Sequence, residues 1–193
     1  MSRRATRTIA PSVEPLTTAE AKEHLLIASA VTGHDGWLED TITAVREYYE
    51  HATDTAVIAS TWTQTYRDWP AEIELLRRPV SAITSITYRD TSGNSQTLAS
   101  SNYRLDAGET QPRIVWDDTA VLPTLDDRPE AITVTYVAGY ANAAAVPLDI
   151  KHALKLALSQ QFEQRSGQSP TNMRASEMGF MAFVNSHSRS TYP

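Results

Sequence analysis

The stretch Trp37–Tyr66, WLEDTITAVREYYEHATDTAVIASTWTQTY, changes its period halfway along. In its first half Leu38, Ile42, Val45, Tyr49 and Ala52 fall at spacings of 4, 3, 4 and 3. That spacing draws one apolar stripe down an α-helix. Asp35 is placed to cap its start, and Glu39, Arg46, Glu47 and Glu50 lie off the stripe. After Ser60 the period falls to two: Trp62, Gln64 and Tyr66 share one face, and threonines occupy the other. Alternation of aromatic and β-branched residues is strand chemistry. One short run therefore predicts a chain of helices and sheet together, an α+β fold.

Upstream, Thr17 and Glu20 have the spacing of a capping box, in which hydroxyl and carboxylate each satisfy the other residue's amide. A first helix is expected from Thr17 through Leu25 and Ala28, fading before Gly33. Residues before it include Arg3, Arg4 and Arg7 with no acid before Glu14. They lack the apolar centre of a secretory signal and read as a solvated arm.

Downstream, further strands are predicted at Ile73–Leu76, Ile83–Tyr88, Gln96–Leu98, Tyr103–Leu105, Arg113–Trp116 and Ile132–Val137. Asp90 to Asn94 has the residues of a turn. Ile132, Val134 and Tyr136 alternate with Thr133 and Thr135, so the last strand has one buried face. Pro147 suits the first position of a helix and Asp149 its first turn. Ile150, Leu154, Ala157, Leu158 and Gln161 then follow on one side, and a stop is expected near Ser166-Gly167. The fold class is α+β: a small bundle of three main helices with a β-rich insertion between the second and third. The divisions are a flexible arm over 1–15, a first helical part over 16–60, the insertion over 61–140, the last helix over 141–166 and a tail over 167–193.

The net charge of −6 argues against sequence-independent DNA binding, which needs a basic surface to displace phosphate counterions. It does not exclude a protein that DNA slides past, since an acidic wall repels phosphate. There is no cysteine, which excludes disulfides, thiolate catalysis and Cys-ligated zinc. No apolar run approaches the ~20 residues that span a bilayer, so no membrane partner is expected.

A search for catalytic and metal-binding patterns finds little. The histidines, His24, His34, His51, His152 and His187, show no ligand motif. Glu47 and His51, one turn apart, read as a surface pair, and His152 as a packed or boundary residue. No Gly-x-Ser-x-Gly elbow and no phosphate-cradling glycine loop occurs. Asp117, Asp118, Asp126 and Asp127 fall in one loop without the calcium-loop pattern. Trp62, Tyr66 and Trp69 have only Arg67 among them, which favours packing over base stacking. No cofactor is expected. Two places remain for partner contacts. Arg77-Arg78 ends a strand, either as exposed charge or as a contact with a neighbouring subunit. Met178, Phe180, Met181, Phe183 and Val184 concentrate apolar bulk in an otherwise polar tail. They either fold back on their own subunit or anchor in a partner's groove, a use that methionine suits.

Three pieces in succession carry a resemblance. The first runs from Trp37-Leu38-Glu39 to Val45-Arg46-Glu47-Tyr48-Tyr49-Glu50. The second is Thr61-Trp62-Thr63-Gln64 followed by Leu76-Arg77-Arg78-Pro79-Val80-Ser81-Ala82-Ile83 through Tyr88. The third is Val134-Thr135-Tyr136-Val137-Ala138-Gly139-Tyr140, then Val146-Pro147-Leu148-Asp149-Ile150 through Leu154. In order and spacing, over roughly Leu16 to Arg165, this resembles the head–tail connector (adaptor) family of tailed double-stranded DNA phages and related gene-transfer particles. The resemblance implies a helical bundle with a β-rich insertion and a dodecameric ring, a homo-oligomer, beneath the portal protein. It implies a channel through which double-stranded DNA passes without sequence-specific binding, a docking surface for a stopper or other neck protein, assembly in the host cytoplasm and a place in the virion. It brings no catalytic residue. A stopper or tail-completion protein of the same neck is the second reading, and an enzyme of unknown type a distant third.

Overall fold

In a computed structural model, residues 4–108, 111–165, 181, 184 and 185 are described. The chain divides into two compact units, one formed by Met1–Ser12 with Ala59–Tyr140 and the other by Val13–Ile58 with Ala141–Pro193.

The second unit is helical. α1 (Thr18–His24) starts at the expected capping box. The Thr17 hydroxyl accepts the Glu20 N–H at 3.1 Å, and the Glu20 carboxylate accepts the Thr17 N–H at 2.8 Å. The helix stops earlier than the sequence suggests. The Ile27 N–H donates to the Lys22 carbonyl and the Leu26 N–H to the Glu23 carbonyl, the paired bonds of a Schellman stop. That stop needs a left-handed residue, and Leu26 supplies it at φ 57. A leucine there costs about 1–2 kcal/mol of backbone strain that glycine would avoid. Apolar periodicity had carried the expected helix on to Ala28, past this local bonding.

α2 (Asp35–Thr53) buries Leu38, Ile42, Val45 and Tyr49 of the predicted stripe, whereas Ala52, its last member, is exposed. His34, and not Asp35, occupies its N-cap position, and Asp54 closes it at φ 55. α3 (Leu148–Arg165) buries Ile150, Ala153, Leu154, Ala157 and Leu158 and packs against both other helices. Trp37 and Phe162 meet edge to face with centroids 5.8 Å apart. None of the helices is long and apolar enough to cross a membrane, among the described residues.

Two charged side chains that lie off the apolar stripe are nonetheless inside this unit. Arg46 and Glu50 are 2% and 3% exposed. The Arg46 guanidinium donates to Glu14 through Nε at 2.7 Å and Nη2 at 3.1 Å, and to Glu50 through Nη1 at 2.9 Å. The other Glu50 oxygen accepts the Val57 N–H at 2.9 Å, and the Thr43 hydroxyl donates to Glu14. Burial opposes the charge on Arg46; the Glu14 hydrogen bond and the Glu50 charge outweigh it and hold its pKa above the ordinary value.

The first unit is antiparallel sheet. β2 (Ser60–Tyr66), β4 (Val80–Arg89), β5 (Ser95–Thr97) and β8 (Ile132–Ala138) join β1 (Ala5–Ile9) in the order β1-β2-β8-β4-β5. β3 (Glu72–Glu74), β6 (Tyr103–Asp106) and β7 (Arg113–Trp116) form a smaller sheet in the order β3-β7-β6. β8 sits at the centre. Its Ile132, Val134, Tyr136 and Ala138 are buried, and the residues between them are half-exposed, the pattern of a strand with one face in the core. β1 corrects the expectation of a flexible arm over 1–15. Ala5 pairs with Gln64, Thr6 with Thr63 and Arg7 with Trp62, so this segment is an edge strand whose backbone is satisfied by β2.

Leu154 is fully buried. Leu154→Ala should lower unfolding free energy in urea titration by about 2–5 kcal/mol. Arg46→Met leaves the Glu50 carboxylate buried without its cation, and the same titration should show a loss of about 3–5 kcal/mol. A loss no larger than that of an exposed substitution would mean that Glu50 finds water or another partner.

Candidate functional site

On β2 the buried face is Ser60, Trp62 and Gln64. The Trp62 indole N–H donates to the Ser60 hydroxyl at 3.0 Å. Two arginines lie against the Trp62 ring: Arg7 from β1, its Cζ 5.8 Å from the centroid, and Arg77, at 4.7 Å. A guanidinium at these distances is held by the negative face of the ring. Arg77, expected at a strand end, is therefore half-buried and stacked, and Arg78, also half-buried, precedes a cis peptide bond to Pro79.

Gln64 fixes the segment that carries these arginines. Its carbonyl oxygen accepts the Leu76 N–H at 2.9 Å and the Tyr136 hydroxyl at 2.7 Å. Its amide donates to the Tyr66 hydroxyl at 2.7 Å and to the Glu74 carbonyl at 3.1 Å. Burial drives the Tyr136 phenol far above its usual pKa, so it stays a hydrogen-bond donor. Gln64 lies on the face that the alternation of β2 predicts, in a role that the alternation does not show. A polar residue between two aromatics on a core-facing strand position was the available signal, since buried amides need partners.

Among the described residues the other candidates do not converge on a reactive centre; His187 lies outside them. Asp117 accepts from the Thr119 hydroxyl at 2.7 Å and from its N–H, which hold its carboxyl below the ordinary value. Asp126 pairs with Arg128, and Asp127 with Arg67. Glu47 lies 3.8 Å from Arg46. Among the described residues no group of three or more histidine, aspartate or glutamate side chains is placed to hold a metal ion. His24 lies 2.9 Å from the Ser159 hydroxyl, and burial together with the charge of Lys155 lowers its pKa. His152, expected as a packed or boundary residue, is exposed, because α3 turns its apolar side elsewhere. Trp69 meets Tyr88 and Trp116 edge to face and donates to the Pro123 carbonyl, so it belongs to packing. A cleft of 250 Å³ beside β2 and β3 is lined by Gln64, Tyr66, Asp68, Glu72 and Glu130, among others, and no histidine or serine among the described residues faces it.

Of the five apolar tail residues, Met178, Phe180 and Phe183 lie outside the described residues. Met181 is helical and 41% exposed, whereas Val184 is 4% exposed and so is covered by its own chain.

No protein-family model matches this sequence, and no curated protein does. Solved structures do. A chain in the neck of an empty gene transfer agent (GTA) particle, computed with C6 symmetry, has a TM-score of 0.80 and 22% identity, covering 98% of this chain and 97% of that one. A chain in the virion of the native GTA particle has a TM-score of 0.78 and 23% identity, with the same coverage. A third, in the neck of the native GTA particle computed with C12 symmetry, has a TM-score of 0.77 and 22% identity, again covering 98% and 97%. What this chain shares with them, from end to end, is the fold.

Proposed function

We propose that the protein is a structural subunit of the neck of a phage or phage-like particle, and that it is an adaptor. Copies form a ring beneath the portal, extend the DNA channel and offer a docking surface to the next neck component. The full-length likeness to chains from neck structures computed with C6 and C12 symmetry is the observation that carries this reading. The net charge of −6 fits a channel component that lets DNA pass and does not retain it. The buried polar groups described above are spent on holding segments in place, which fits an architectural part better than an enzyme.

Within this reading Arg77 and Arg78 and the tail cluster from Met178 to Val184 are the partner contacts. Of the two described members, Val184 is buried against its own subunit and Met181 is exposed, so Met181 is offered to the portal or a neighbouring copy. A methionine adapts to an irregular groove at small cost.

Imaging of particles that carry this chain tests the assignment. An adaptor gives a ring of density directly against the portal. Density separated from the portal by another ring makes it a stopper, and absence from the neck rejects the reading. A chain truncated after Gly167 should fail to join portal-bearing particles in a pull-down while the truncated monomer keeps most of its helical circular dichroism. Undiminished attachment would remove the tail from the contact.

A further inference from the structure

Among the described residues of the helical unit, two exposed, uncharged apolar stretches lie outside its core. One is the connector after α1. Leu26 is 94% exposed, and it sits in the left-handed position where glycine is unstrained. Ala28, Ala30 and Val31 beside it are exposed too, and residues 25–33 carry no charged side chain. A strained backbone that presents a leucine to water gains nothing within the subunit. The other place is the start of α3. Leu148 is 83% exposed, Ala144 and Ala145 in the turn before it are exposed, and residues 141–148 carry no charge. In a chain that is 21% charged, neither stretch has the composition of ordinary solvated surface.

These places are well separated. Lys151 lies 3.7 Å from Glu20, and Ser159 lies 2.9 Å from His24, so α1 runs alongside α3 with the connector following at the level of Ser159. Leu148 precedes Ser159 by roughly 16 Å of helix axis at 1.5 Å per residue. A two-fold contact needs one patch that meets itself. A head-to-tail contact, the kind that closes a ring, needs two unlike patches on each copy.

We infer that the Leu26 connector of one copy packs on the Leu148 end of α3 in the next. The inference rests on the ring reading above and names its contact. Chains of this fold solved in C6 and C12 assemblies are the reason the occupant is a second copy. The neutrality of both patches fits apolar protein surface and not nucleic acid, which needs cations.

The absence of cysteine gives a clean test, because introduced thiols report alone. Leu26→Cys and Leu148→Cys are made singly and together in the full chain and oxidised gently at high protein concentration. Both positions are exposed, so the fold should survive, as a thermal melt will show. Each single variant should stay monomeric on a non-reducing gel. Their equimolar mixture should give disulfide dimers, and the double variant a ladder of longer products. Val121→Cys, at a position 80% exposed on the other unit, mixed with Leu26→Cys sets the background of chance collisions. A mixture that cross-links no faster than this background overturns the contact. Dimers of Leu26→Cys alone, above background, overturn its head-to-tail geometry. Leu26→Asn adds a check without thiols: it relieves the left-handed strain, so it should raise the melting temperature while weakening self-association. If the contact fails while imaging still finds the ring in the neck, the ring is built through other surfaces; if the chain is absent from the neck, the parent reading fails as well.

Discussion

Arg46 is the constraint on which the helical unit depends. Its guanidinium binds a carboxylate that precedes α1 and a second carboxylate on its own helix, and that second carboxylate also holds the amide of Val57. Glu14 and Val57 lie near the two ends of the segment Val13–Ile58. One side chain therefore brings both ends of that segment to the same point on α2. Apolar contacts between helices allow small slides, whereas a bidentate arginine fork accepts few geometries. Replacing the whole Glu14–Arg46–Glu50 network by well-packed apolar residues would cost little net stability, although removing one member alone is costly. The network's effect here is to specify where the chain enters and leaves the helices.

Parts of this architecture are legible in the sequence for physical reasons. The stripe on α2 and the alternation on β8 are strong because each element buries one face and leaves the other wet, and period follows from that. The Thr17–Glu20 capping box is legible because it is local: both bonds close within three residues. The strands from β2 to β8 are bounded by turn residues, so their limits were read to within a few positions.

The elements that escaped depend on partners distant in sequence. β1 has no apolar stripe of its own; it exists because β2 offers a ladder, and Arg7 finds an indole there. Arg46 and Glu50 look solvated on a helical wheel, and only Glu14 and the Val57 amide make their burial tolerable. Leu26 ends α1 at a position where glycine would have announced the stop. At the candidate site Arg77 and Arg78 were visible as charge next to proline, but the stacking on Trp62 was not, because it joins positions fifteen residues apart in sequence through the fold of β2 and the segment after β3. The apolar tail residues were visible as composition; the burial of Val184 depends on what covers it, which composition does not give.

The pairing of β1 has a consequence for how the chain is made. Thr63 donates to the Thr6 carbonyl across 57 residues of sequence. β1 leaves the ribosome before its ladder partner, which emerges only after α1 and α2 have been synthesised. For that interval the strand is an unpaired ribbon, and in a polysome the matching edge of an older sister chain lies close by. Contacts of such long separation form slowly, and exchange of an identical element between sister chains is a low-barrier error. The short, arginine-bearing character of β1 suits that wait, because a short charged edge is a poor template for another chain to pair with.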